Sequence, residues 1–133
     1  MTLIDQETLE CFYPENIQEI FRAIDEKYDG ILYTGRHGKF IDDFCFPNGD
    51  YVIVSKCKDK IVVAPNIIGT DMGEKYYVCD KEGLGIIPDK TQYMLFEPIK
   101  ENLPAIFKQI DFLTERRKKI KNFYELAKIK DDF

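Results

Sequence analysis

The sequence predicts an α+β domain with an N-terminal helix, an antiparallel meander of five to seven strands, and a long C-terminal helix packed on one sheet face. Apolar residues recur with helical spacing near the start of the chain, with a period of two through its middle, and with helical spacing again after Pro98. The turns between the central segments are short, and short connections join antiparallel neighbours. A chain of 133 residues is too short for two independent cores, so we predict one domain spanning residues 1–133.

The first helix is predicted over residues 15–28. Its apolar and aromatic side chains recur at helical intervals, which places them on one face. They are Ile17, Ile20, Phe21, Ile24 and Tyr28. Glu15 stands near the positive end of the helix dipole, and Gly30 is a favourable residue for the stop after the last turn. Residues 1–13 fit either a short helix or an edge segment, which Pro14 ends.

Seven segments in the middle of the chain have the composition of strands. They span residues 31–34, 39–46, 51–56, 61–64, 75–79, 84–87 and 92–97. Asn48 and Gly49 separate two of them, which predicts a hairpin because both central positions of a type I′ turn need positive φ. Residues 65–74 show no clear period and are predicted as a loop, which either binds a partner or tucks Ile67 and Ile68 into the core.

The adjacent carboxylates of Asp42 and Asp43 are inconsistent with a regular strand over residues 39–46. Successive strand residues point to opposite faces, so one of the two shares the face of Phe40 and Phe44 unless a bulge intervenes. Local inconsistencies of this kind often mark functional sites. The competing interpretation is an exposed acidic strand face.

The C-terminal segment is predicted to be helical over residues 105–130. Apolar residues recur there at alternating intervals of three and four, and no glycine or proline interrupts them. The pattern fits one helix, or two helices with a break near residues 111–114. A helix of ~25 residues would be about 38 Å long. Since one small sheet is narrower than that, we expect the half after Thr114 to project or to meet a partner.

The bulk composition is that of a globular cytosolic protein. Hydrophobic residues make up 44% and charged residues 32%, and 19 basic against 24 acidic side chains leave a net charge of −5. This balance excludes a globally basic nucleic-acid binder, and no apolar run reaches the ~18 residues of a transmembrane helix. The first 13 residues carry Asp5, Glu7 and Glu10 and lack the features of a secretory signal, so we expect a cytoplasmic location and no membrane contact.

The charge is unevenly distributed along the chain. Residues 1–113 hold 12 basic and 20 acidic side chains, a balance of −8, whereas residues 114–133 hold 7 and 4, a balance of +3. A basic helix can bind phosphates, but the acidic body would repel a polyanion, so we do not expect a nucleic-acid partner. The simpler interpretation of this basic segment is that its charged side chains form the solvated face of a surface helix. Self-association through residues 114–130 is an alternative.

Catalytic chemistry has little support in the sequence. The four cysteines form no CxxC motif, and Cys45 stands between two phenylalanines, where apolar surroundings would raise the pKa of its thiol. Ser55 is the only serine and His37 the only histidine, which argues against a serine triad and a histidine-rich zinc site. We therefore expect no catalytic residue, no metal and no cofactor.

The turn at residues 35–39 supports an alternative, a small enzyme or a domain that binds an anion or a small ligand. It joins two predicted strands and combines two glycines with Arg36, His37 and Lys39. Such a loop can hold an anion between its amides and basic side chains, with His37 as acid or base. The competing interpretation is a glycine-rich hairpin with a solvated basic tip.

The leading hypothesis is a non-catalytic protein-binding domain. We expect an acidic inhibitor or immunity-type protein that neutralises a basic partner such as a toxic nuclease, because acidic strands would steer such a partner. Tyrosines on an open sheet face would anchor it, since they combine apolar area with a polar tip. The predicted contact residues are Asp42, Asp43, Asp50, Asp59, Asp71 and Glu74 for charge, with Tyr51, Tyr76 and Tyr77 as anchors.

Overall fold

The α+β class is confirmed by a computed structural model, which describes residues 12–47, 51–69, 76–87 and 89–131. Within these residues, helix α1 spans Glu15–Lys27, and the long C-terminal helix, α2, spans Leu103–Asp131. The strands lie between the two helices. They are β1 (Tyr33–His37), β2 (Phe40–Cys45), β3 (Val52–Cys57), β4 (Lys60–Val63), β5 (Asn66–Gly69), β6 (Tyr76–Cys79) and β7 (Met94–Phe96).

The strands form two antiparallel groups. The main sheet has five strands in the order β1-β2-β3-β4-β7, and β5 pairs with β6 in a separate two-stranded ribbon. Each strand from β1 to β4 pairs with its sequence neighbour, as the short turns predict. The ribbon interrupts this order, so the last strand, β7, returns to pair with β4.

Three segments differ from the sequence prediction. Residues 35–37, predicted as part of a turn, belong to strand β1 and pair with β2. Asn66–Gly69, predicted as part of a loop, is strand β5, in which Ile67 is fully buried and pairs with Val78. Residues 84–87, predicted as a strand, contribute only an isolated bridge between Cys79 and Ile86. The physical reason is a competing turn, because Gly83 has φ +78° and the Asp80 carboxylate accepts the Leu84 amide at 2.7 Å.

Strand β2 contains a β-bulge, the irregularity that would let two adjacent carboxylates fit into this strand. Gly35 pairs with Asp43, but the next residue of β1, Arg36, pairs with Ile41. Asp42 is therefore the extra residue, without a partner in the β1 ladder. This explains how two adjacent carboxylates fit beside Phe44, which is completely buried.

Helix α1 is fixed to the bulged strand by apolar packing and by one buried polar side chain. The rings of Phe21 and Phe44 meet edge to face, with centroids 5.5 Å apart. Gln18, only 1% exposed, donates from Nε2 to the Ile41 carbonyl at 2.9 Å and accepts the Ile41 amide at 3.0 Å. Because Ile41 directly precedes Asp42, these bonds position the start of the bulge.

Helix α2 is continuous through residues 111–114, so the alternative of two separate helices is wrong. Its 29 residues span about 44 Å at 1.5 Å per residue. Ile106, Ile110 and Leu113 are fully buried in the core, whereas Phe123 and Leu126 are exposed. Within the described part of the chain, no helix has both the length and the apolar content needed to cross a membrane.

Candidate functional site

The β2 bulge brings several titratable side chains together. The extra residue, Asp42, contacts Nδ1 of His37 through its carboxylate, and the hydroxyl of Tyr13 also hydrogen-bonds to it. Lys56 lies close enough for the Asp42 charge to oppose the effect of burial on its pKa. We call Tyr13, His37, Asp42, Asp43 and Lys56 the bulge cluster. It gathers residues from the chain before α1 and from strands β1, β2 and β3.

Tyr13 occupies an apolar and cationic setting within the bulge cluster. Its ring stacks on Phe40 with centroids 5.0 Å apart, and the Lys56 ammonium lies 4.7 Å from the centre of the same ring. Burial and the Asp42 carboxylate raise the pKa of Tyr13 to about 12. Burial lowers the pKa of Lys56. At neutral pH the Tyr13 hydroxyl therefore stays protonated and donates a hydrogen bond to the Asp42 carboxylate.

Asp43 lies on the other side of the bulge in a partly buried position. Burial raises the pKa of its carboxyl group, while the positive charge of Lys90 and the Gly35 backbone amide partly offset this effect. Lys90 in turn donates to Ser55 Oγ at 3.1 Å. A Cβ at Gly35 would collide with the Asp43 carboxylate, so a larger residue there would force that carboxylate to move.

Residues 35–39 are not a loop throughout, because residues 35–37 belong to strand β1 and only Gly38 and Lys39 form the turn. The basic side chains of this segment are already engaged within the chain. Arg36 donates to Asp25 Oδ2 at 2.7 Å, and His37 contacts Asp42. Lys39 places its ammonium 5.3 Å from the centre of the Phe40 ring. Two of the three residues predicted to hold an anion are therefore paired internally, which weakens the anion-binding hypothesis.

The predicted partner-binding residues are divided among separate places. Asp42 and Asp43 lie together in the bulge cluster, and Tyr51 contacts Tyr77 with ring centroids 5.2 Å apart. The exposed Asp59 lies in the β3–β4 turn. The six residues of β3 separate it from Tyr51, and they span about 20 Å at 3.3 Å per residue. Three further predicted contacts lie outside the described residues. They are Asp50, Asp71 and Glu74.

Tyr76, a predicted anchor for a partner, is buried in the core of the protein. It is 5% exposed, and the guanidinium of Arg117 lies 5.6 Å from the centre of its ring. The same guanidinium lies 5.2 Å from the ring of Phe46, so it is held by both aromatic side chains. Arg117 thereby connects α2 to strands β6 and the end of β2. The sequence distinguishes Arg117 from its basic neighbours, because it lies on the apolar stripe of the helix, four residues after Leu113 and three before Ile120.

An acidic groove follows the C-terminal end of α1. It has a volume of about 500 Å³, and its lining includes Asp25, Asp29, Tyr33 and Arg36. Tyr33 is 57% exposed. The groove combines carboxylates with an exposed aromatic ring, the residue types that the sequence predicts for a contact with a basic protein. Its residues went unpredicted because Asp25 and Asp29 look like ordinary charges on the polar face of an amphipathic helix.

The arrangement in the bulge cluster can hold and move a proton. A carboxylate at Nδ1 orients the imidazole of His37 and leaves Nε2 for exchange with another group. Among the described side chains, no group of three histidines, cysteines or acidic residues is placed to hold a metal ion. Comparison with known proteins gives no match for this chain, whether to a family model, to a curated protein or to a solved structure.

Proposed function

We propose that this protein is a non-catalytic binding domain of the acidic inhibitor or immunity type, which neutralises a basic protein such as a toxic nuclease in the cytoplasm. The observation that carries the proposal is the charge of the surface formed by α1 and the β1–β2 hairpin. Residues 12–47 hold four basic and seven acidic side chains, a balance of −3. This negative surplus would attract a basic partner and speed its association.

Internal ion pairs concentrate the surplus on a few carboxylates. Arg22 pairs with Glu15, and Arg36 pairs with Asp25. Within the described residues, no cation lies at salt-bridge distance from the exposed side chains of Glu19, Glu26 and Asp29. Two of these flank the C-terminal end of α1, where the helix dipole leaves carboxylates poorly stabilised. A lysine or arginine of a partner would stabilise these carboxylates, which face the negative end of the helix dipole.

Tyr33 adds an anchor to the acidic groove. A tyrosine that is more than half exposed beside carboxylates can bury apolar area against a partner and still present its hydroxyl. Asp42 and Asp43 contribute to the same negative region, and the Asp42 carboxylate also contacts His37. The acidic groove is therefore the part of this surface best suited to receive a basic side chain.

The test begins with capture of a partner from the source cells on immobilised protein. The captured protein is then purified and titrated by calorimetry against the wild type and against the double variant Glu26→Lys/Asp29→Lys. We expect the double variant to bind at least about tenfold more weakly, since it places two cations against a basic surface. The control is Glu101→Lys, which reverses an exposed charge outside α1 and should change affinity by less than about twofold. Equal affinity of wild type and double variant would contradict the proposal.

A second candidate, a small enzyme or anion-binding domain, is favoured by the contact between His37 and Asp42. A carboxylate that orients an imidazole is a common arrangement for general acid–base catalysis. The variant His37→Ala separates the two functions, because it removes the imidazole and keeps every carboxylate of the acidic surface. An inhibitor would keep its affinity for the basic partner within about twofold, whereas an enzyme would lose its turnover.

Self-association through residues 114–130 stays a prediction. Binding of a basic partner does not require it, so the two are independent. Sedimentation equilibrium at several protein concentrations tests it directly, because self-association would raise the average mass with concentration.

A further inference from the structure

The distal half of α2 does not project freely but lies on strand β5. A Cβ at Gly69 would be 2.5 Å from Cγ2 of Ile120 and 2.9 Å from Cε2 of Tyr124. Only a glycine at the end of β5 lets the helix approach this closely. Beside this contact is an open groove of about 340 Å³ between the end of β5 and residues 116–124 of the helix. We call it the distal groove.

All the charged side chains that line the distal groove are positive. They are Arg116 and Lys119. Among the described residues, neither has a carboxylate at salt-bridge distance, whereas the neighbouring Lys118 pairs with Glu115 at 3.4 Å. Arg116 makes only a long contact of 3.4 Å to the Ile67 carbonyl. The two groove cations are therefore available to carboxylates from another molecule.

Apolar surface accompanies these cations. Ile68, Ile120 and Phe123 line the distal groove, and Phe123 is 67% exposed. Leu126, one turn further along the helix, is 61% exposed. Exposed side chains of this size beside charged ones are typical of surfaces that bind other proteins. The groove volume is within the range of about 300–1,000 Å³ found for sites that hold a small ligand or a few residues of a peptide.

Charge complementarity indicates which occupant fits. Two cations that have no ion-pair partner among the described residues suit two carboxylates, and the apolar lining suits the leucine or phenylalanine side chains of the same segment. A nucleic acid would bring a long row of phosphates towards the acidic body, whose balance is −8 over residues 1–113. A second copy facing this one through residues 114–133 would oppose two segments of +3, which is unfavourable.

We propose that the distal groove binds a short acidic and apolar peptide segment of a partner protein. Carboxylates of the segment would pair with Arg116 and Lys119, and one of its apolar side chains would pack against Ile120 and Phe123. This surface is separate from the acidic groove and opposite to it in charge. It does not depend on the proposed inhibitor function.

The test uses fluorescence polarisation with a labelled short peptide that alternates leucine and phenylalanine with three carboxylates. A matched peptide with lysines in place of the carboxylates is the control ligand. We expect saturable binding of the acidic peptide alone, weakened about tenfold by Lys119→Glu and by Phe123→Ser. Lys118→Glu is the control variant, because Lys118 is an exposed neighbour that does not line the groove, and it should change affinity by less than about threefold.

Three results would overturn the proposal. The first is no saturable binding of the acidic peptide, or equal binding of the basic one. The second is tighter binding of a single-stranded oligonucleotide that is lost in Lys119→Glu, which would assign the groove to nucleic acid. The third is a dimer in sedimentation that Phe123→Ser converts to a monomer, which would assign the groove to a second copy. A circular dichroism spectrum identical to that of the wild type verifies that each variant is folded.

Discussion

The buried side chain of Gln18 provides a quantitative test of how the bulge is positioned. Its amide group forms two hydrogen bonds to the backbone of Ile41, at 2.9 and 3.0 Å, and the side chain is 1% exposed. The variant Gln18→Met keeps the length of the side chain but removes both bonds. Each of the two buried backbone groups left without a partner costs about 1–3 kcal/mol, so we expect a loss of roughly 2–6 kcal/mol. That is a large part of the 5–15 kcal/mol that stabilises a typical domain.

Urea unfolding followed by circular dichroism measures this loss as a change in the free energy of unfolding at constant m value. Hydrogen exchange at the Ile41 amide supplies a local readout, and we expect it to accelerate in Gln18→Met. The control is Glu19→Ala, an exposed neighbour on α1, which should change stability by less than about 0.5 kcal/mol. A Gln18→Met protein as stable as the wild type would refute the positioning role of Gln18.

Three further predictions concern the packing and the charges around the candidate site. Arg117→Ala should cost about 1–3 kcal/mol in urea unfolding, since the guanidinium lies 5.2 and 5.6 Å from two rings, while Lys118→Ala should cost almost nothing. Gly35→Ala should destabilise by about 1–3 kcal/mol through collision with the Asp43 carboxylate, and adding Asp43→Ala should restore most of the loss. Because the pKa of Asp43 is raised above 3.8, the contribution of Asp43 to stability should fall as pH rises from below 3.8 through that raised pKa, and the difference in stability between the wild type and Asp43→Asn should show this dependence in pH-resolved unfolding.

The helices were the most predictable elements because their apolar periodicity extends over many residues. Helix α1 was predicted over residues 15–28 and spans Glu15–Lys27. Strand β5 gives no such signal, since Asn66–Gly69 is only four residues long and packs beneath α2 without alternation. The missing strand at residues 84–87 reflects a turn held by the Asp80 side chain, which outweighs the apolar composition of that segment.

The candidate site was less predictable, because it depends on a change of register. The sequence indicated that Asp42 and Asp43 do not fit a regular strand, but not that a bulge would turn Asp42 towards His37. Tyr13 joins the cluster through tertiary packing on Phe40, which no local pattern reveals. The pairing of Arg36 with Asp25 likewise links β1 to a helix eleven residues earlier in the chain.

The salt dependence of the association rate with the purified basic partner tests the central claim most directly. Stopped-flow measurements at several ionic strengths would compare the wild type with Glu26→Lys/Asp29→Lys. We predict a rate that falls steeply with added salt for the wild type, and a slower rate with little salt dependence for the variant. An association rate that is insensitive to salt and unchanged by the double variant would contradict the proposal that this acidic surface attracts and neutralises a basic protein.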